Sequence, residues 1–219
     1  MKNHLKSIAA PRTWKLDRKK CKFIMRPNPG AHKFELGMPL GVVLRDHIKL
    51  ASTMSEVEKM LNNNEILVDG KRKNDRREIV GLFDIIAVPL LKKYFTIEMD
   101  VKGRLILSEV DEKNANIKIC KVTGKKVLKG KKVQLNLYDG KNILTDKDVK
   151  VGDSVIFNVE KRQIEKILPL KEGAEILLTK GKHAGSTGKL ESLKGDTAIY
   201  VNNEGEKIET TKKYLYIRK

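Results

Sequence analysis

The chain has 219 residues, with 46 Lys+Arg against 28 Asp+Glu and a formal charge of +18 at neutral pH. A surface this positive attracts polyanions, nucleic acid before anionic membrane or acidic protein, and the 5% aromatic content within 40% hydrophobic residues favours several small cores over one large one. No stretch approaches the roughly 20 apolar residues that span a bilayer and no apolar signal-peptide core opens the chain; with Cys21 and Cys120 far apart and no Cys-x-x-Cys, a disulfide framework and a zinc ribbon are excluded too. The expectation is a soluble, intracellular protein with reduced thiols.

The charge is unevenly placed. Residues 1–33 carry ten basic residues and one acidic, a net of +9, while 34–94, 95–169 and 170–219 carry +1, +5 and +3. With Pro11, Pro27, Pro29 and Gly30 and no sustained periodicity, the first segment reads as an irregular arm ordered by its partner. Its candidate RNA-binding residues are Lys2, His4, Lys6, Arg12, Trp14, Lys15, Arg18, Lys19, Lys20, Lys22, Arg26, His32 and Lys33. Trp14 is the residue placed to stack on a base or wedge into a protein groove.

From Pro39 the pattern changes. Leu40, Val43, Leu44, Ile48 and Ala51 have the spacing of a helix with one apolar face, with Pro39 suited to its first position. Thr53-Met54-Ser55-Glu56 has capping-box spacing for a second helix, with Val57, Met60 and Leu61 inward and Asn62-Asn63-Asn64 at its end. Ile66-Leu67-Val68 then leads into Asp69-Gly70, a tight hairpin turn, and a return strand is expected from Phe83 to Val88. The turn opens onto Lys71, Arg72, Lys73, Arg76 and Arg77, which with Arg45 and Lys49 of the first helix predict a focused phosphate-binding surface.

Period-two runs follow from Phe95 to about Pro169, separated by turns at Lys102-Gly103, Thr123-Gly124, Asp139-Gly140 and Gly152-Asp153, and predict an all-β domain. The last 50 residues hold five short strands, the size of an SH3-like barrel. The expected organisation is α+β and multidomain: a basic arm (1–36), a small helix-pair and sheet RNA-binding module (37–94), a central β domain (95–169) and a C-terminal SH3-like domain (170–219).

Between Gly181 and Lys189 the glycines invite comparison with a phosphate-cradling P-loop. His183 and Leu190 stand where that motif needs Gly and Ser or Thr, and strand rather than helix follows, so the loop reads as a strand connection whose Lys180, Lys182 and Lys189 remain candidate RNA contacts. Catalytic and metal-binding constellations are missing from the sequence. His4, His32, His47 and His183 are scattered, and His47 falls beside the apolar face of the first helix, where packing is the expected role.

His4-Leu5-Lys6, Ala9-Ala10-Pro11, Trp14-Lys15-Leu16-Asp17, Arg26-Pro27-Asn28-Pro29-Gly30-Ala31-His32 and Met38-Pro39-Leu40 closely resemble the N-terminal signature of the small-subunit ribosomal protein family S4e of archaea and eukaryotes. The helix pair with Ile66 to Lys71 looks like an alpha-L RNA-binding module, and Gly173 through Leu190 looks like a KOW segment. The resemblance covers essentially the whole chain. It implies a structural constituent of the small ribosomal subunit, partnered by small-subunit ribosomal RNA and neighbouring ribosomal proteins, with no enzymatic role, cofactor, membrane or small-molecule substrate. It also implies an archaeal source, because the longer C-terminal tail of eukaryotic members is missing. Alpha-L modules commonly carry Arg on the second helix, whereas Glu56 and Glu58 stand here, which moves the weight to Arg45, Lys49 and the 71–77 loop. The competing readings are an accessory chain of an RNA-modifying enzyme and a KOW-type transcription or translation factor.

Overall fold

The structure is a computed structural model that describes residues 3–63, 66–112 and 114–218. Lys2 and Asn64 lie outside the described residues. The chain is mostly β with two short helices, and it divides into two compact units: Met1–Glu98 with Arg104–Ile117, and Met99–Gly103 with Lys118–Lys219. No described helix is long and apolar enough to cross a membrane.

The first unit begins with an ordered N-terminal segment. Strand β1 (His4–Lys6) pairs antiparallel with β2 (Phe23–Met25). Between them Trp14 is 2% exposed, bridging to Leu105 and lying 5.4 Å from the Phe34 ring. The expectation of an irregular arm is therefore corrected within this fold. Three-residue strands are too short to register as periodicity, and the apolar anchors Leu5, Ala10 and Trp14 follow no regular spacing.

Strand β3 (Gly37–Pro39) runs straight into helix α1 (Leu40–Val42), which widens into a π turn over Val43–His47. Pro39 thus closes the strand and caps the helix instead of occupying its first turn. The helix stops before Ala51 because Lys49 adopts a left-handed conformation (φ 61°), while the Leu50 amide donates back to the Leu44 carbonyl at 3.0 Å. Helix α2 (Met54–Asn63) carries the expected capping box: the Glu56 amide donates to Thr53 Oγ1 (3.3 Å), and the Glu56 carboxylate accepts from the Ser52 and Thr53 amides (2.8 and 3.2 Å). These backbone donors hold the Glu56 carboxyl below its ordinary range.

Strands β4 (Leu67–Val68) and β5 (Lys71–Arg72) form the hairpin, with Asp69 and Gly70 both at positive φ (48° and 70°), as its two-residue turn demands. Strand β6 (Ile79–Gly81) pairs with β3; β7 (Ile85–Val88), β8 (Lys93–Met99) and β9 (Leu105–Val110) complete a sheet of order β5-β4-β7-β8-β9. Strands β8 and β9, which periodicity groups with the strands after them, extend the helix-pair sheet. Beneath it Leu36, Met38, Leu40, Leu44, Leu61, Ile66, Leu82, Ile86 and Ile97 are buried.

The second unit holds two five-stranded sheets. The first comprises β10 (Ile117–Val127), β11 (Val133–Leu137), β12 (Asn142–Thr145), β13 (Ser154–Asn158) and β14 (Gln163–Leu168) in the order β12-β11-β10-β13-β14. The second comprises β15 (Glu175–Leu178), β16 (Thr187–Lys194), β17 (Thr197–Asn202), β18 (Lys207–Thr211) and β19 (Leu215–Ile217) in the order β18-β17-β16-β15-β19. Ile176, Leu178, Leu190, Ala198, Tyr200 and Leu215 form the core of the second sheet.

Two lysines of this unit are internal. Lys118 is paired with Asp139 at 3.0 Å, both side chains almost fully buried, and Lys141 approaches the same carboxylate at 3.2 Å. Burial alone raises the Asp139 carboxyl, but Lys118 and Lys141 outweigh it and hold the group below the ordinary aspartate range. Lys121 Nζ donates to the carbonyls of Lys213 (3.0 Å) and Leu215 (2.6 Å), and burial brings its ammonium down to about 8. The Tyr216 hydroxyl donates to the Ile119 carbonyl (2.6 Å) and accepts from the Lys121 amide (3.1 Å); complete burial pushes the phenol well above its usual range.

Candidate nucleic-acid interface

In the first unit the N-terminal segment and α1 enclose a cleft of about 690 Å³ lined by Lys15, Lys20, Arg45 and Lys49, together with Ser7, Asp17, Cys21, Phe23, Asp46 and Ser52. Four cations from two separate stretches of sequence therefore meet at one concavity. Lys15, Lys20 and Lys49 are exposed, and none forms an ion pair among the described residues. Arg45 differs: its guanidinium forks onto the neighbouring Asp46 carboxylate (2.7 and 2.8 Å), which raises the guanidinium's affinity for its proton. The left-handed Lys49 that ends α1 carries the fourth cation at this wall.

His47, at the end of the same π turn, is packed rather than available. Burial lowers its imidazole from the usual value, Asp46 opposes the shift and Lys15 adds to it, so the ring is neutral at pH 7. Among the described residues its buried Nε2 has no hydrogen-bond partner.

Several other residues expected to contact RNA have structural duties. Arg18 donates to the carbonyls of Ser7, Ile8, Ala10 and Pro11 at 3.3, 3.1, 3.0 and 2.8 Å, replacing the bonds that a regular element would supply to that turn. Trp14 lies in the core, away from any surface where a base could stack. His32 is buried with Nε2 2.8 Å from Asp84, and Asp84 also accepts the Gly81 amide at 2.8 Å. The imidazole lies flat against Gly81, where a Cβ would sit 2.2 Å from the ring. Arg26 and Arg77 flank a smaller hollow of about 330 Å³, with the Arg77 Nε donating to the Arg26 carbonyl at 3.2 Å.

The 71–77 run is less free than its charge suggests. Arg72 donates to the Asn62 carbonyl near the end of α2 (3.1 Å), Lys73 pairs with Glu78, and Arg76 pairs with Glu58 at 3.0 Å. Glu58, one of the two acids that depart from the alpha-L pattern, thus neutralises part of the loop, while Glu56 caps its own helix. Lys71 is exposed without an acidic partner among the described residues. His4, Lys6, Arg12, Lys19, Lys22 and Lys33 are exposed as well, and the His4 ring stands edge-on to Phe23 at 5.7 Å.

In the second unit residues 179–186, with Gly181 and Gly185, connect β15 to β16, and Gly188 lies in β16 itself. The connection's amides serve the loop itself: Gly185 donates to the Leu178 carbonyl (2.8 Å) and Ser186 to the His183 carbonyl (3.1 Å). Gly185 has φ 89°, and a Cβ there would lie 1.9 Å from the Asp100 carbonyl oxygen, so backbone packing accounts for that glycine. Lys182 and Lys189 are exposed beside it and Lys180 is half-buried.

Phe23 escaped the sequence reading. It is 49% exposed on the cleft wall, with the Lys22 ammonium 5.7 Å from its ring centroid. Only its alternation opposite His4 and Lys6 on the β1–β2 pair could have signalled it, and three-residue strands give no such signal.

Known proteins resemble the chain over nearly its whole length. Residues 91–164 match the family model described as Ribosomal family S4e, and residues 1–35 match the RS4NT (NUC023) domain. The small ribosomal subunit protein eS4 of Methanocella arvoryzae is 40% identical, over 98% of this chain and 93% of that protein. This chain belongs to the S4e family. The eS4 of Archaeoglobus fulgidus is 38% identical over 98% of this chain and 92% of its own length. The crystal structure of the 30S ribosomal protein S4e from Thermoplasma acidophilum superposes with a TM-score of 0.70 at 27% identity, covering 83% of this chain and 94% of that one. These S4e relatives are ribosomal proteins, not enzymes, and their sources are archaeal.

Proposed function

We infer that the chain is a structural constituent of the small ribosomal subunit, in the cytoplasm, where it binds ribosomal RNA and packs beside other ribosomal proteins. The observation that carries the RNA contact is the cleft where Lys15 and Lys20 meet Arg45 and Lys49. Three exposed ammonium groups without acidic partners among the described residues neutralise phosphates and release counterions, and the folded N-terminal segment sets the direction of Lys15 and Lys20 before RNA arrives. Lys6, Arg12, Lys19, Lys22, Lys33, Lys71, Lys182 and Lys189 extend the contact as exposed cations, with Arg26 and Arg77 at the second hollow.

The alpha-L reading of 37–94 is supported by the helix pair with its β4–β5 hairpin, and the KOW, SH3-like reading of 170–219 by five short strands and a glycine-bearing connection. We propose the segments 1–36, 37–94, 95–169 and 170–219 as units of role laid over the two compact bodies. An accessory chain of a modifying enzyme and a KOW-type transcription factor are disfavoured by family membership across nearly the full length.

The test is binding of the full chain to small-subunit ribosomal RNA of Archaeoglobus fulgidus transcribed in vitro, over a range of salt. Log affinity should fall steeply with log salt. The triple variant Lys15→Gln, Lys20→Gln, Lys49→Gln should reduce the slope by about 2 to 3, close to one for each phosphate that is no longer neutralised. An unchanged slope removes the cleft from the interface.

A further inference from the structure

We propose that the cleft of the first unit takes one unpaired nucleotide of ribosomal RNA, its base stacked on Phe23 and its flanking phosphates held by Lys15, Lys20 and Lys49. The inference rests on the RNA reading above and adds to it a stacking site. Phe23 leaves half its surface open in a chain with few aromatic residues, and that open ring lines the cleft.

The ring is held by its strand, by an edge contact with His4 and by the Lys22 ammonium over one face. Its strand is paired with β1, His4 stands edge-on at 5.7 Å with the planes 62° apart, and the Lys22 ammonium lies 5.7 Å from the centroid. A ring fixed in this way loses little further freedom when a base covers it. The cleft volume of about 690 Å³ falls within the range of about 300–1,000 Å³ typical of sites for small ligands, which accommodates a single nucleotide rather than a duplex.

The charges choose among occupants. Arg45 is already engaged by Asp46, and Asp17 accepts the Lys19 amide at 3.3 Å but keeps its exposed carboxylate in the lining, so three ammonium ions and an aromatic ring at the wall outweigh one open acid. That pairing suits a phosphate-linked base: phosphates meet the lysines, and any base offers a π-face to the ring. Stacking of this kind tolerates sequence, so the cleft reads an unstacked nucleotide by its availability more than by its identity.

The experiment uses the full chain and the same in vitro transcript. Phe23→Ala and Phe23→Leu should each weaken binding by about 10-fold or more with the salt slope unchanged, because a stacking contact carries no phosphate. Phe23→Tyr should restore wild-type affinity. Emission from the single tryptophan, Trp14, reports whether the N-terminal segment stays folded in each variant. With p-benzoylphenylalanine at position 23, crosslinks should concentrate on one unpaired nucleotide. Equal affinities for wild type and Phe23→Ala, with the wild-type slope still steep, overturn the stacking site and leave the RNA reading standing. A flat wild-type slope overturns that reading itself. Intact binding to naked RNA with poorer incorporation into reconstituted subunits assigns Phe23 to a protein neighbour and also overturns the proposal.

Discussion

Lysines of the N-terminal cleft and lysines of the β10 sheet differ in almost every respect except composition. Lys15, Lys20 and Lys49 stand exposed without ion-pair partners among the described residues, whereas Lys118 is sealed against Asp139 and Lys121 is bonded to backbone carbonyls. The first set stays hydrated and is open to a polyanion. The second set carries a desolvation cost that only its internal partners offset. A net charge of +18 therefore overstates the charge available for RNA, and part of it holds the protein together.

That contrast can be broken most sharply at Asp139. Asp139→Asn should destabilise the second unit by about 3 to 5 kcal/mol in urea denaturation, because the buried Lys118 ammonium loses the Asp139 carboxylate. Replacing both groups, Lys118→Met with Asp139→Leu, should recover most of the loss. Acidification acts in the same direction as Asp139→Asn: the carboxyl is depressed in the folded state, so its contribution is present above the ordinary value of 3.8 and disappears as pH falls through the folded value.

Lys121 titrates with the opposite outcome at alkaline pH. Its folded value of about 8 lies below the ordinary 10.5, so the unfolded chain binds more protons between the two, and stability should rise from pH 8 to 10 by roughly 2 to 3 kcal/mol. The raised Tyr216 phenol reverses the trend above pH 10, since the folded state then keeps a proton that the unfolded state loses. Lys121→Met should abolish the rising limb, read from urea midpoints across the range.

The cleft side yields smaller stability effects and larger binding effects. Arg18→Met removes the donors to four carbonyls and should cost about 1 to 2 kcal/mol, with Trp14 emission shifting to the red as the N-terminal segment loosens. A free wild-type chain whose Trp14 already emits as an exposed indole would show that RNA, not packing, orders this segment. Lys49→Gly should change stability by less than about 1 kcal/mol, in the stabilising direction because glycine accepts φ 61° without strain. The same change should lower the salt slope of RNA binding by about one.

Local features were legible where a few adjacent residues settle the geometry. Thr53 and Glu56 announced the start of α2, Asp69-Gly70 announced the hairpin, and alternation announced the strands of the second unit. The order of the N-terminal segment was not legible, because Trp14 finds Leu105 and Phe34 only in three dimensions, and Arg18 reaches carbonyls seven to eleven residues away. The π turn and early stop of α1 were hidden too, since nothing in the spacing of Leu40 to Ala51 marks Lys49 as left-handed. At the candidate site, charge marks Lys15 and Lys20 and helix placement marks Arg45 and Lys49, but their meeting in one cleft, the exposed Phe23 and the neutralising roles of Asp46, Glu58 and Glu78 are not legible in the sequence.

The sequence by itself determined the sign of the partner, the β character of residues 95–219 and the family, because these follow from composition, period-two patterning and a contiguous N-terminal signature. Tertiary structure decided which cations remain available. Charge adds up along a chain whatever its fold, but whether an ammonium meets water, a carboxylate or a carbonyl depends on residues far away in sequence, brought near only by packing.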